Sequence, residues 1–431
     1  MASIRIGTLR NSKVDETTVV RHLASLTEHG EDHMANLQEL VFYRTQMTQP
    51  IVNQLWKLLD QQRSIHTIKL LSCTGHVSGV ITCICYHETV NTLVLSGEVA
   101  PRTMKALRQG LQTNQSVQTL KLLGVQFTSE KDTILFDGIS QSHSSLRTLD
   151  LTRSHLSPEA VTALAKALSQ NTSLSTLNLE QCGLSDACLE QVISALSTQQ
   201  MIQDLNLSQN SAHSLALEAL AGLVASDDAV VPLRSLNLSH QILASDQEEL
   251  DLVSLSHAVK ALHTNTCLQS LDISGNTFSD DAVRALAACL SVNTTLETLD
   301  ISESEITEAG MDYFAEHFCD FKGLKTFNLS GNAWNASIGK CFAEGLENNR
   351  RLISLGPIAS CPSSRRIEHF LDLNVAGRIA FQNDVGLAVW PQLLARVNDI
   401  ELPHGSEERE QCGRNVNALY SLLRGPALFQ R

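Results

Sequence analysis

One six-residue pattern, L-x-x-L-x-L, returns at near-constant intervals along most of this chain of 431 residues. It reads LQELVF from Leu37, IHTIKL from Ile65, VNTLVL from Val90, VQTLKL from Val117, LRTLDL from Leu146 and LSTLNL from Leu174. It continues as IQDLNL from Ile202, LRSLNL from Leu233, LQSLDI from Leu268, LETLDI from Leu296 and LKTFNL from Leu324, with a degraded copy, LISLGP, at Leu352. Successive intervals are 28, 25, 27, 29, 28, 28, 31, 35, 28, 28 and 28 residues. A fixed period of this length means one supersecondary unit stacked on copies of itself. It overrides the prior of about three domains of ~150 residues that length alone would give.

Each copy has a physical reading. The alternating L-x-L sends two apolar side chains to one face of a short strand. The eighth residue after the first leucine is Asn210, Asn276 or Asn332 in three copies and Cys73 or Cys182 in two. A buried polar group there can bond the backbone of adjoining turns, whose own groups need partners. Two positions further an apolar residue returns, as Phe127, Leu156, Leu184, Phe278, Ile306 or Trp334. A helical period follows, for example Ala160, Val161, Leu164, Ala165 and Leu168. Asn-x-x-Leu then closes the unit, as at Asn171–Leu174 and Asn293–Leu296.

These residues resemble leucine-rich repeats of the long, ribonuclease-inhibitor type, over about Leu37 to Leu355. The resemblance implies a right-handed α/β solenoid bent into a horseshoe, with about 12 units of ~28 residues. Strands would line its concave face and helices its convex face. On that reading the chain divides into an N-terminal cap (1–36), the solenoid (37–364) and a small helical C-terminal module (365–431). An array needs caps over its raw apolar ends. Residues 15–30 fit one: Asp15 can cap a helix, Val19, Val20, Leu23 and Leu26 give it an apolar stripe, and Gly30 can end it. In the C-terminal module three helical runs are readable, over 366–381, in WPQLLARV and in NVNALYSLLR, with a polar loop over 401–414. The series LDLNVAGR, WPQLLARV and LYSLLRGP resembles a module that follows repeat arrays in some algal proteins of unassigned function.

Charge narrows the partners. The net charge is −14, which argues against nucleic acid and anionic membranes as binding surfaces. No run of 18 apolar residues exists to span a bilayer, and the first residues lack the apolar core of a secretory signal. The eleven cysteines contain no C-x-x-C pair, so neither a disulfide framework nor a zinc ribbon is expected. Free thiols point to a reducing compartment, the cytoplasm or nucleus. Neither G-x-x-x-x-G-K-[ST] nor G-x-G-x-x-G occurs to cradle a nucleotide. His29 and His33 flank Gly30 where a zincin would need a helix, and Gly75–Gly79 misplaces the serine of a nucleophile elbow. The expectation is a chain that is not an enzyme, takes no cofactor or metal, and is a monomer on its own.

What remains is a surface. Residues 246–320 hold 15 acids against two bases, a net of −13. Two consecutive copies are oversized, with extra residues near 225–232 and 243–252, and insertions in repeat arrays map to loops, often on a binding face. Glu308, Asp312 and Glu316 fall at helical spacing and read as a solvated stripe. Candidate partner-binding residues on or beside the strand face are Tyr43, Lys69, Lys121, Asp150, Glu180, Asp204, Asp272, Asp300, Glu303 and Glu305. The expected function is a protein–protein interaction scaffold with a basic protein partner. Two alternatives stay open. One is regulation of an enzyme, as a ribonuclease inhibitor or small-GTPase activator; yet only Tyr43 supplies an aromatic to the concave face, and residues 365–431 sum to zero charge. The other is a substrate receptor of a ubiquitin ligase.

Overall fold

The leucine pattern folds as its alternation requires. In the strand Thr148–Asp150 the leucine at the middle, Leu149, is fully buried, and the flanking Thr148 is half-exposed on the other face. The computed structural model describes residues 2–7 (backbone), 16–28, 37–128, 133–140, 145–197, 201–224, 232–241, 262–358 and 361–375. They belong to two compact units, Met1–Asp246 and Gln247–Arg431. The oversized segments 225–231 and 243–252, and the helical runs expected beyond Val375, lie outside the described residues.

Among the described residues the first unit carries nine parallel ladder strands: β1 (Ala2–Gly7), β2 (Leu37–Tyr43), β3 (Thr67–Leu71), β4 (Thr92–Ser96), β5 (Thr119–Leu123), β6 (Thr148–Asp150), β7 (Thr176–Asn178), β8 (Asp204–Asn206) and β9 (Ser235–Asn237). They pair in chain order, with Leu40, Ile68, Leu93, Leu120, Leu149, Leu177, Leu205 and Leu236 in one register row. That row is buried throughout, and each such side chain contributes about 1.5–3 kcal/mol when removed from water. Helices α1 (Glu16–Glu28), α2 (Gln49–Gln61), α3 (Val77–Tyr86), α4 (Pro101–Thr113), α5 (Phe136–Ile139), α6 (Pro158–Gln170), α7 (Asp186–Leu196) and α8 (Ser214–Val224) form the second layer.

Local chemistry sets the helix ends. Ser157 accepts a hydrogen bond from the Ala160 N–H at 3.3 Å, and Pro158 occupies the first turn of α6, where its missing donor costs nothing. The expected stripe Ala160, Val161, Leu164, Ala165 and Leu168 is its buried face. Asn171 ends the helix by accepting from the Ser173 and Leu174 N–H groups at 2.9 and 2.8 Å while donating to the Ile139 carbonyl of the preceding copy at 2.6 Å. The N-terminal helix runs Glu16–Glu28 with Val19, Leu23 and Leu26 buried. Strand β1 was not expected; it lies parallel beside β2, with Ile4 opposite Leu40 and Ile6 opposite Phe42.

The second unit repeats the plan. Strands β10 (Ser270–Asp272), β11 (Thr298–Asp300) and β12 (Thr326–Asn328) are parallel, and Ser354 extends them through a bridge to Thr326. Helices α9 (Asp280–Leu290), α10 (Glu308–His317), α11 (Ala336–Asn348) and α12 (Ser364–Val375) pack behind them. Phe314, Phe327 and Phe321 meet edge-to-face, with Phe314 and Phe327 centroids 5.3 Å apart. α12 covers the first part of the run expected over 366–381. Among the described residues no helix is long and apolar enough to cross a membrane.

Candidate functional site

Asparagines at one repeat position hold the strand ends in place. Asn210 accepts from the Cys182 and Leu184 N–H groups, each at 3.1 Å, and donates to the Leu179, Leu207 and Ser208 carbonyls at 2.8–3.1 Å. Asn332 does the same for Ser304, Ile306, Ile301 and Leu329 in the second unit. Cys73 and Cys182 stand in the same role with weaker donors, Cys182 Sγ lying 3.1 Å from the Leu151 carbonyl. Just before this position the backbone turns left-handed, at Arg44, Ser72, Arg153, Gln181, Gln209, His240 and Glu303, and at Gly97, Gly124, Gly275 and Gly331. That turn redirects the chain from the strand and sets the exposed residues around it.

The ten candidate residues, on or beside the strands, differ in how their charges are met. In the first unit Lys69, Lys121 and Asp150 are ion-paired, while Glu180 and Asp204 form no ion pair among the described residues and accept from uncharged groups. Lys69 on β3 forms an ion pair with Glu39 on β2, its register neighbour but one. Lys121 on β5 pairs with Asp150 on β6 at 3.0 Å, in direct register, and Asp150 is buried. Asp150 also accepts from the Thr152 hydroxyl at 2.6 Å. Glu180 accepts from Asn206 at 3.4 Å, and Asp204 from the Thr176 hydroxyl at 3.2 Å. Tyr43 is exposed, with the Arg44 guanidinium 5.1 Å from its ring centroid.

In the second unit the acids stand without cations. Asp272 and Asp300 are direct register partners on β10 and β11, so two like charges sit on adjoining strands, where opposed like charges repel. Each uses one oxygen to hold the turn that follows: Asp272 accepts from the Ser274 N–H and hydroxyl at 3.1 and 2.6 Å, Asp300 from those of Ser302 at 2.9 and 2.6 Å. The second oxygen of Asp300 accepts from Asn328 at 2.7 Å. Glu303 and Glu305 are exposed on the next turn, both left-handed, and Glu305 accepts from the Thr277 hydroxyl at 3.4 Å. Among the described residues no Lys, Arg or His forms an ion pair with any of the four. The other acids of this unit are arranged differently. Asp281 pairs with Arg284 and Glu297 with Lys325, while Glu308, Asp312 and Glu316 lie on α10 in the helix layer.

Among the described residues no group of three or more His, Cys, Asp or Glu is placed to hold a metal ion, and the cysteines are free thiols. Burial pushes the thiols of Cys73, Cys85 and Cys289 up to about 11 and those of Cys83 and Cys182 up to about 12. A thiol that holds its proton so firmly is a poor nucleophile at neutral pH. The helix layer also carries an exposed aromatic pair, which the strand positions do not announce. Trp56 on α2 is 43 % and Tyr86 at the end of α3 is 74 % exposed, and their ring centroids are 6.1 Å apart. The signal was available for Trp56, which falls outside the helical stripe Ile51, Val52, Leu55, Leu58 and Leu59.

A sequence profile described as "Leucine Rich repeat" matches residues 142–165, 264–287 and 292–315, reaching copies in both units. The chain carries leucine-rich repeats. No curated protein matches it in sequence. Among solved structures, an internalin from Listeria monocytogenes is 12 % identical, covers 79 % of this chain and 95 % of its own, and has a TM-score of 0.43. Rad7 in its yeast complex with Elc1 is 14 % identical over 74 % of this chain and 84 % of its own, with a TM-score of 0.42. The leiomodin-1 actin-binding site 2 is 18 % identical over 40 % of this chain and 95 % of its own, with a TM-score of 0.33.

Proposed function

We propose that this repeat protein is a non-enzymatic scaffold that holds a basic segment of a protein partner on the strand face of its second unit. The observation that carries the reading is the cluster of four acids on two adjoining strands and the turn that follows them. Glu39 and Asp150 meet lysines from neighbouring strands, whereas Asp272, Asp300, Glu303 and Glu305 meet none among the described residues. A partner's Lys or Arg side chain would relieve the repulsion between Asp272 and Asp300 and would be steered in by the −13 charge of residues 246–320.

The test uses the full chain and a panel of fluorescent Lys/Arg-rich peptides, with affinities read at about 50 mM and about 300 mM salt. The informative variant is Asp272→Asn/Asp300→Asn/Glu303→Gln/Glu305→Gln. Asn178, Asn206, Asn237 and Asn328 already occupy the position of Asp272 and Asp300 in other copies, and Asn206, Asn237 and Asn328 accept from the N–H two residues on in the same way. The variant therefore removes charge and keeps the turns. The expected result is at least about tenfold weaker binding and a flattened salt dependence. Binding that is unchanged by the variant would overturn the assignment of this face.

A further inference from the structure

The basic residues of the second unit are also sorted by the structure. Its described residues contain eight Lys and Arg. Four of them pair with carboxylates: Arg284 with Asp281 at 2.5 Å, Lys325 with Glu297 at 2.6 Å, Lys340 with Glu344 at 3.8 Å, and Arg366 with Glu347. Of the other four, Lys322, Arg350 and Arg351 line a single cavity of about 680 Å³, together with Asp320, Asn349 and Phe321. The lining comes from three successive helix-to-strand turns, the first supplying Thr294.

These turns are rigidly built, and the bases are not needed to complete most of them. Asn349 is buried; it accepts from the Arg351 and Leu352 N–H groups at 3.0 and 2.9 Å and donates to the Phe318 carbonyl at 3.4 Å. Asn374 of α12 donates to the Asn349 and Leu352 carbonyls at 3.0 and 2.7 Å. The helix-end carbonyl of Gly345 accepts from the Asn349 N–H at 2.9 Å and from Cys319 Sγ at 3.4 Å. Arg351 alone has a structural bond, from Nη1 to the Lys322 carbonyl at 2.6 Å, which fixes its fork and leaves its other donors for a ligand. Lys322 and Arg350 contact no carboxylate within 4.0 Å among the described residues, and neither does Asp320 contact a base.

Three bases against one carboxylate give the cavity a charge of +2, beside a stretch of chain that carries −13. We propose that it is a binding site for a phosphate group on a protein partner, a phosphoserine or phosphothreonine. A phosphomonoester carries roughly −1.5 to −2 at neutral pH, which matches the cavity, and its oxygens suit the planar donors of two arginines. The space is within the roughly 300–1,000 Å³ of ligand pockets and leaves room for the residues on either side of the phosphate. The neighbouring acidic surface disfavours an anionic membrane as the source of that phosphate. This site is separate from the strand-face acids and stands or falls without them.

The test is retention, by the full chain, of a degenerate peptide library with a fixed central phosphoserine, against the same library with serine. Inorganic phosphate and vesicles containing phosphoinositides are separate probes. The variant is Lys322→Gln/Arg350→Gln, which leaves the structural bond of Arg351 intact; its melting midpoint is measured alongside. The expected result is retention of the phosphoserine library about tenfold or more above the serine library, lost in the variant at unchanged melting midpoint. The Asp272→Asn/Asp300→Asn/Glu303→Gln/Glu305→Gln chain retains the phosphoserine library as the parent does. Equal retention of the two libraries, or undiminished retention by the variant, overturns the proposal. Binding of inorganic phosphate or of vesicles without selective peptide retention overturns it in favour of a free-anion or lipid site.

Discussion

Asn210 shows how much of this fold rests on single side chains. It satisfies five backbone groups across two copies, all buried. Replacing it with alanine leaves those groups without partners, so Asn210→Ala is expected to lower stability by about 2–4 kcal/mol in denaturant titration. Glu303 shows the opposite balance. It stands in a left-handed turn that Gly275 and Gly331 occupy in the flanking copies, a conformation costing roughly 1 kcal/mol for a residue with a side chain. Glu303→Gly is expected to raise the melting midpoint while weakening the basic peptides. The buried thiols give a third check. With the Cys73 proton held to about 11 instead of its ordinary 9.0, its thiolate at pH 8 is about a hundredfold scarcer than in the unfolded chain. A thiol reagent should therefore leave Cys73, Cys83, Cys85, Cys182 and Cys289 unmodified in the native protein. Because the folded pKa is raised, the stability from these protonated thiols is complete below about pH 9 and is lost as pH rises towards 11–12. The ladder asparagines were legible in sequence because they recur at one repeat position. The left-handed turn was not, since Arg, Ser, Gln, His and Glu fill it as well as Gly and leave no residue signature.

At the scale of elements, helix and strand positions followed from period, and helix packing did not. Gly110 lies inside α4, where alanine would ordinarily gain about 1 kcal/mol. A methyl group there would collide with Cys85 Sγ on α3. Gly110→Ala is therefore expected to destabilise by about 1–3 kcal/mol, with partial recovery in Gly110→Ala/Cys85→Ala; thermal melts of the single and double variants check it. No property of Gly110 in the sequence announces this contact, because it depends on which residue α3 presents across the interface. Strand β1 was missed for a related reason. Its six residues carry no copy of the repeat pattern, and only pairing with β2 marks them as part of the sheet. The ion pairs of the first unit belong to the same class. Lys121 and Asp150 are 29 residues apart in sequence and adjacent only through the β5–β6 register.

For the whole molecule, the repeat and the lopsided charge are both legible in the sequence. What sequence could not do was separate acids that are neutralised from acids that are not, because the cations that decide it come from neighbouring strands. Glu180 and Asp204 also lack a cation among the described residues, but register sets Asp272 beside Asp300, with Glu303 and Glu305 on the turn that follows, as the clustered acids that the proposal assigns to a partner. The most direct measurement compares two variants of equal charge for binding the Lys/Arg-rich peptide panel. One neutralises those four residues; the other, Asp281→Asn/Glu308→Gln/Asp312→Asn/Glu316→Gln, removes the same charge from the helix layer. The predicted result is a loss of about tenfold or more in the first and less than about twofold in the second. Equal losses in the two variants, or none in either, would contradict a binding site on the strand face.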